Sequence, residues 1–378
     1  MDNEPLYDVA VIGGGLAGLS LAIQCARQGY SVVLFEKEEY PFHKVCGEYI
    51  SLESRDFLSG FGVDLDSFKV PLINKLQLSD VKGRIYSFNL PLGGFGISRY
   101  SLDDTLYKIA VANGVTVYTG TKVNNVEYIN DEFRISATTI VAMAKVAAGS
   151  YGKRSNLDVK WKRPFTNRSG NLNNYIGIKY HIKYPHNIST ITLHNFYKGY
   201  CGISAIEAGK SCLCYLTTAK NLKDSGSSIK EMERQVLFKN PRLREIFTAA
   251  EFLYDEPLAI SQISFSRKST VENHVLMLGD AAGMITPLCG NGMSMAMHSG
   301  KIAFHSINRY LQKKINRQEM EEEYTRSWKN TFTRRLSTGR IIQQFFGNNT
   351  STSLFLKTMN AVPPLANFLI RSTHGKPF

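Results

Sequence analysis

Asp8-Val9-Ala10-Val11-Ile12-Gly13-Gly14-Gly15-Leu16-Ala17-Gly18 is the stretch that decides how this chain folds. Asp8 to Ile12 is short, apolar and rich in β-branched residues, the pattern of a strand buried on both faces of a parallel sheet. Leu16 to Gln28 reads as a helix that stops at Gly29, and Ser31 to Glu36 as a second buried strand. Together they make a βαβ unit whose first turn carries Gly13-x-Gly15-x-x-Gly18. Each glycine has a task there. The first permits the tight turn, the second lets backbone approach a pyrophosphate, and the third lets the helix lie close to the strand. Free N–H groups at the helix start then face the phosphate charge. Glu36 closes the second strand 18 residues after Gly18. A carboxylate at that place accepts hydrogen bonds from ribose hydroxyls and repels a 2′-phosphate.

Composition sets the outer bounds. The chain has 378 residues, 43% hydrophobic and 20% charged, as expected of a soluble globular protein with one large or two interleaved domains. Its 45 Lys and Arg outnumber its 32 Asp and Glu, a net charge of +13 that favours anionic partners such as nucleotides, acidic substrates or phospholipid head groups. With no Lys/Arg-rich arm and no zinc spacing, we expect no nucleic-acid partner and no metal site. Cys25, Cys46, Cys201, Cys212, Cys214 and Cys289 contain no Cys-x-x-Cys pair, which reads as reduced thiols in a cytoplasm. Met1 to Pro5 is acidic, so no signal peptide is expected. No apolar run reaches the ~18 residues of a membrane-spanning helix.

Further along, Leu72 to Ile97 alternates like antiparallel strands, Ser101 to Asn113 reads as a helix, and Val115–Val126 and Glu132–Val146 as strands. Asn167–Asn174 reads as a loop, and Tyr175 to Leu216 alternates as an antiparallel sheet with one face on a core. Ser227 to Phe247 is expected to be helical. A second strand–loop–helix follows: Val275 to Leu278, then Gly279-Asp280-Ala281-Ala282-Gly283, then Pro287-Leu288-Cys289-Gly290-Asn291-Gly292-Met293 opening a helix to Gln312. An Asp just past a buried strand can bind a sugar-like hydroxyl, and a glycine-rich helix start aims N–H groups at negative charge. The expected fold class is α/β: a Rossmann-like domain with an inserted antiparallel β-sheet substrate domain and a helical C-terminal region. The expected boundaries are 1–70, 98–158 and 268–312 for the nucleotide unit, 71–97 and 159–267 for the substrate domain, and 313–378 for the helical region.

The N-terminal βαβ unit, Gly279-Asp280 and the Pro287–Met293 loop resemble the FAD-dependent monooxygenase and geranylgeranyl reductase superfamily, with the fold of para-hydroxybenzoate hydroxylase. Pro41-Phe42-His43-Lys44-Val45-Cys46-Gly47-Glu48 is most similar to the corresponding loop of the reductase-like branch. The resemblance implies FAD as cofactor. It assigns the ADP half to Gly13, Gly15, Ala17, Gly18, Glu36 and Lys37, and an adenine contact to the backbone of Val123. Lys44 and Arg99 are assigned to the phosphates or flavin, Asp280 to the ribityl chain, and Gly290, Gly292 and Met293 to the flavin ring through backbone N–H groups. It makes Cys46 the candidate catalytic residue, a thiol that touches substrate or donates a proton. One departure stands out: the family's Asp-Gly pair is replaced by Ala148-Gly149, which puts direct reduction by NAD(P)H in doubt. A Trp-x-Trp-x-Ile-Pro signature is absent, which argues against a flavin-dependent halogenase.

The expected activity is FAD-dependent reduction of carbon–carbon double bonds in an apolar, isoprenoid- or polyene-like substrate. The electron donor would be NAD(P)H or a reduced protein, in a cytoplasmic chain with peripheral membrane contact as one option. The rivals are a monooxygenase acting on an aromatic or lipid, non-redox catalysis by reduced flavin, and a cofactor-less binding protein of the same fold. His43 and Glu207 read as solvated or turn residues, and Cys289 as packing.

Overall fold

The computed structural model describes residues 5–166 and 174–378. The loop expected at Asn167–Asn174 therefore lies, but for Asn174, outside the described residues. The expected helices and strands form two sheets. The first runs Val271–Glu272, Val275–Met277, Val141–Gly149, Leu6–Ile12, Val32–Phe35, Thr116–Tyr118. From Val275–Met277 to Thr116–Tyr118 all neighbours are parallel, and the hairpin Val123–Ile129/Glu132–Ala137 joins through Val141–Gly149. Val9 to Ile12 and Val32 to Phe35 are buried, as continuous apolar strands require.

The second sheet runs Glu251–Phe252, Tyr175–Lys183, Ser211–Thr218, Gly199–Ala205, Thr190–Phe196, Leu72–Ser79, Ile85–Gly96, Tyr49–Ser51, and Leu258–Ile263 also pairs with Tyr175–Lys183. The stretches expected at Val115–Val126 and Glu132–Val146 are each split, into Thr116–Tyr118 and Val123–Ile129 and into Glu132–Ala137 and Val141–Gly149, and the helix expected over Ser227–Phe247 is broken into Ile229–Gln235, Leu237–Lys239 and Pro241–Ala249. Within the second sheet two further details differ from the sequence expectation. Thr190–Phe196 pairs in parallel with Leu72–Ser79, because strands so far apart in sequence have no hairpin to force them antiparallel. Tyr49–Ser51, inside the span expected for the nucleotide unit, pairs with Ile85–Gly96 in this second sheet.

The parallel order puts the turn after Ile12 and the turn after Met277 at the same edge of the first sheet, separated only by Val141–Gly149. Ligands bind at such an edge in open α/β sheets. The helices behind the two turns, Leu16–Arg27 and Gly292–Leu311, pack directly on one another. A Cβ on Gly300 would stand 2.7 Å from the Ala17 carbonyl oxygen and 3.2 Å from Ser20 Cβ, so only glycine allows this approach. The long helix Arg317–Phe345 lies across the second turn: a Cβ on Gly283 would meet Trp328 at 2.9 Å, and the Tyr324 hydroxyl donates to the Met277 carbonyl. Substituting Gly300→Ala should push the two helices apart and lower unfolding free energy by about 1–3 kcal/mol. Chemical denaturation would show this, and an unchanged midpoint would contradict the close-packing account.

Candidate functional site

Gly13 turns with φ +106, and Gly18 packs against the Gly13 carbonyl, the Ser150 side chain and Val11, where a Cβ would clash. At Gly15 the space is open. A Cβ there would meet nothing nearer than the Arg99 Nη2 and Lys44 Nζ atoms at 3.8 Å. Two cations thus overhang the bare backbone of the glycine turn. Asp103 holds both: its carboxylate accepts from Arg99 Nε at 2.7 Å, Arg99 Nη2 at 2.6 Å and Lys44 Nζ at 3.0 Å. Burial alone would raise Asp103, but Arg99 and Lys44 hold it below the usual carboxylate range. One carboxylate shared by two cations leaves net positive charge facing the turn, which suits a pyrophosphate.

Glu36 is buried at the other side of the turn and accepts from the N–H groups of Gly14 at 2.9 Å and Glu38 at 3.1 Å. Two bonds leave further lone pairs on an ionised carboxylate for ribose hydroxyls. Tyr40 donates its hydroxyl to the Gly14 carbonyl and stacks on Tyr107. Neither Leu16–Arg27 nor Gly292–Leu311 has a side-chain cap, so the N–H groups of both first turns are free for a ligand.

Asp280, just past Gly279, makes no side-chain hydrogen bond among the described residues. Burial pushes its pKa up against the charges of Lys268, Arg99 and Lys153. Lys268 donates to the carbonyls of Lys153 and Asp280 at 2.7 Å each, and burial pulls it down to about 8. An unpartnered carboxylate beside bare glycine backbone is the donor set a ribityl chain requires, and the open, cationic Gly15 turn fits the diphosphate. The residues present therefore fit FAD.

Most residues expected to bind the cofactor line this edge: Gly13, Gly15, Ala17, Gly18, Glu36, Lys44, Arg99, Asp280, Gly290, Gly292 and Met293. Ala17 touches the position of a Cβ on Gly279, at 3.3 Å. The Met293 side chain is buried, leaving its N–H at the uncapped helix start. The remaining two are Lys37 and Val123. Lys37 is exposed and pairs with Glu38, because the chain turns outward after Phe35. Val123 begins its strand with the side chain buried in the core and its backbone opposite Ala137.

Sequence reading missed a second group of residues. The Lys44–Glu48 loop is pinned by the second sheet: the carbonyls of Lys44, Cys46 and Gly47 accept from Lys179, Cys212 and Ser204 at 3.1, 3.2 and 3.1 Å. Glu48 has left-handed backbone, φ 55, and its side chain is fully buried. Its Oε1 accepts from Lys179 Nζ at 2.5 Å and from the Arg99 N–H at 2.8 Å, and its Oε2 from His181 Nε2 at 2.6 Å. Burial would raise Glu48, but the His181 hydrogen bond and the Lys179 charge outweigh it and keep the carboxylate ionised. With Nε2 donating to Glu48, a neutral His181 presents Nδ1 as an acceptor, and the Tyr254 hydroxyl lies 2.5 Å from it. Tyr254 also reaches His43 at 3.3 Å, and burial pulls His43 down to about 4. Contrary to its solvated expectation, His43 is half-buried, stacked on Tyr100. Glu48, His181 and Cys212 also bring three potential metal ligands within 4.8 Å. Lys179 already supplies the cationic partner there. Glu207 is buried and caps Arg99–Ala112 through Ser98 and Ser101, which makes it structural.

Cys46 lies between the two groups. The residue is partly exposed while its thiol is buried, and burial raises the thiol above its ordinary value more than the Arg99 charge lowers it. It is a thiol at neutral pH. Tyr49 closes the loop against the second turn, where a Cβ on Gly290 would meet its ring at 2.9 Å.

Comparison with known proteins agrees with this geometry. The pattern of the FAD dependent oxidoreductase family matches residues 8–44, the glycine turn through Lys44. FAD is its cofactor. As a curated relative, conditioned medium factor receptor 1 of Dictyostelium discoideum is 25% identical over 80% of this chain and 63% of its own length. The chain thus spans less than two thirds of that relative. Among solved structures, the flavin-dependent brominase Bmp2 superposes with TM-score 0.79 at 19% identity, covering 97% of this chain and 93% of that one. A geranylgeranyl bacteriochlorophyll reductase-like protein of Thermoplasma acidophilum superposes with TM-score 0.76 at 16% identity, covering 99% and 93%. Flavin-dependent halogenases recur among both relatives and structures. No described helix is long and apolar enough to cross a membrane.

Two outcomes follow from this site. Asp280→Ala and Lys44→Gln should each weaken FAD binding about tenfold, since each removes one charge-assisted contact. Titrating stripped protein with FAD by fluorescence measures this, and unchanged affinity in both would detach FAD from the cleft. Iodoacetamide should label Cys46 slowly at neutral pH and about tenfold faster per pH unit through the range up to 9. Fast labelling at neutral pH would mean that Cys46 is a thiolate.

Proposed function

We propose that this chain reduces carbon–carbon double bonds of an apolar small molecule, isoprenoid- or polyene-like in character. Reduced FAD supplies a hydride in such chemistry, so the protein must supply the matching proton to the neighbouring carbon. The observation that carries the reading is the acid set on the Lys44–Glu48 loop. Cys46 is a protonated thiol on a partly exposed residue, and Glu48, His181 and Tyr254 form a hydrogen-bonded chain on the same loop that reaches His43. Glu48 fixes the His181 tautomer, and His181 in turn orients Tyr254. The loop's three pinned carbonyls keep the thiol in place, which matters because proton transfer needs contact at hydrogen-bond distance.

The electron donor is NAD(P)H or a reduced protein. Ala148 is buried in the parallel sheet beside Val11 and Leu276, so no carboxylate enters the cleft from that position. This supports a reduced protein over direct NAD(P)H.

The halogenases among the similar proteins favour a second reading, oxygen-dependent halogenation or hydroxylation. The chain's two tryptophans, Trp161 and Trp328, are far apart, so the halogenase signature has no counterpart here. The two readings part in one experiment. Dithionite-reduced, FAD-loaded protein mixed anaerobically with polyprenyl substrates should reoxidise, and Cys46→Ala or Tyr254→Phe should slow this about a hundredfold while the flavin stays bound. Reoxidation that requires oxygen, with halide or hydroxyl appearing in the product, would replace the reductase reading with the second one.

A further inference from the structure

From Tyr324 to Phe378 the chain contains no Asp or Glu and eight Lys or Arg, which is eight of the thirteen net positive charges. Arg335 is buried against Glu53. Arg326, Lys329, Arg334, Lys357, Arg371 and Lys376 are exposed, and none enters an ion pair among the described residues. The same region carries much of the protein's exposed apolar surface. Fifteen large apolar side chains are exposed among the described residues, and six fall between 341 and 368: Ile341, Phe345, Leu354, Val362, Leu365 and Phe368. Ile341 is 57% exposed, Leu354 66% and Phe368 55%.

Contacts between the helices join part of this set. On the helix Arg317–Phe345, Ile341 and Phe345 lie seven and eleven residues after Arg334, close to whole numbers of turns. The Arg334 guanidinium sits 5.8 Å over the Phe368 ring from the helix Pro363–Thr373. Phe345 stacks at 5.0 Å on Phe355 from the helix Asn349–Ala361, where Leu354 and Lys357 are exposed. Three helices thus present protruding apolar side chains beside the unpaired cations Arg334 and Lys357.

We propose that this face docks on an anionic phospholipid surface. The cations meet the lipid phosphates, and Ile341, Leu354 and Phe368 enter the interface between head groups and acyl chains. A second copy of the chain is a poorer occupant. A two-fold contact would bring this single-signed charge against itself, which is repulsive. The inference is independent of the redox reading and holds for any substrate.

Flotation of the FAD-loaded full chain with vesicles provides the test. Vesicles of two parts phosphatidylcholine to one part phosphatidylglycerol should carry the protein up, and phosphatidylcholine alone at least about tenfold less. High salt should release it, since the attraction is screened. The double variant Ile341→Ser/Phe368→Ser should bind anionic vesicles about tenfold more weakly, and Arg334→Gln/Lys357→Gln likewise. Matching near-ultraviolet circular dichroism keeps misfolding out of the comparison. Equal binding to both vesicles, or none to either, overturns the proposal. So does a dimer in sedimentation that Ile341→Ser dissociates, which would give the face to a second copy.

Discussion

The close approach of helices Leu16–Arg27 and Gly292–Leu311 is the constraint on which the rest of the site depends. Both helices begin uncapped, and both begin at a glycine turn on the same edge of the parallel sheet. They point at one cleft only because Gly300 has no side chain to hold the Ala17 backbone away. A single methyl group there would separate two sets of N–H groups that must serve one ligand. The helix Arg317–Phe345 completes the arrangement by laying Trp328 on Gly283.

Charge within the site is distributed by sharing. Asp103 binds Arg99 and Lys44 together, so the cations are fixed in position without being neutralised. Arg99 also donates its backbone N–H to Glu48, which joins the phosphate side of the cleft to the buried acid–base chain. The chain itself is electrostatically closed: Glu48 has Lys179 and His181, and each is buried with a partner. A lone charge at that depth would be expensive, and removing either cation would leave Glu48 uncompensated. Arg163 performs a similar task, tying Asp158 to the carbonyl of Ala281 beyond the second turn.

Much of the candidate cleft was legible because its residues lie within short motifs. Gly13, Gly15, Gly18, Glu36 and Asp280 sit where a strand ends or a helix starts, and local patterning marks such places. Lys37 adjoins Glu36 in sequence, but its side chain is exposed and pairs with Glu38. Glu48 was in view as part of the Lys44–Glu48 loop, but its side-chain partners Lys179 and His181 are more than 130 residues away. A signal for them existed. Lys179 and His181 alternate with Ile178, Tyr180 and Ile182, so two ionisable side chains share one face of an otherwise apolar strand. Such a pair requires a buried anion opposite, and Glu48 is that anion.

By itself the sequence determined the βαβ unit, the second glycine turn, the alternating sheet and the basic, acid-free stretch at 324–378, because each is written in local spacing or composition. Only the tertiary structure decided that Gly300 allows the turns to converge, that Asp103 binds two cations, and that Tyr49–Ser51 joins the second sheet. It likewise decided that Glu48, His181 and Tyr254 form one chain, and that Ile341, Leu354 and Phe368 are left exposed on three helices. The reason is the same in each case. These contacts join residues whose separation along the chain carries no periodic signal, and packing alone brings them within range.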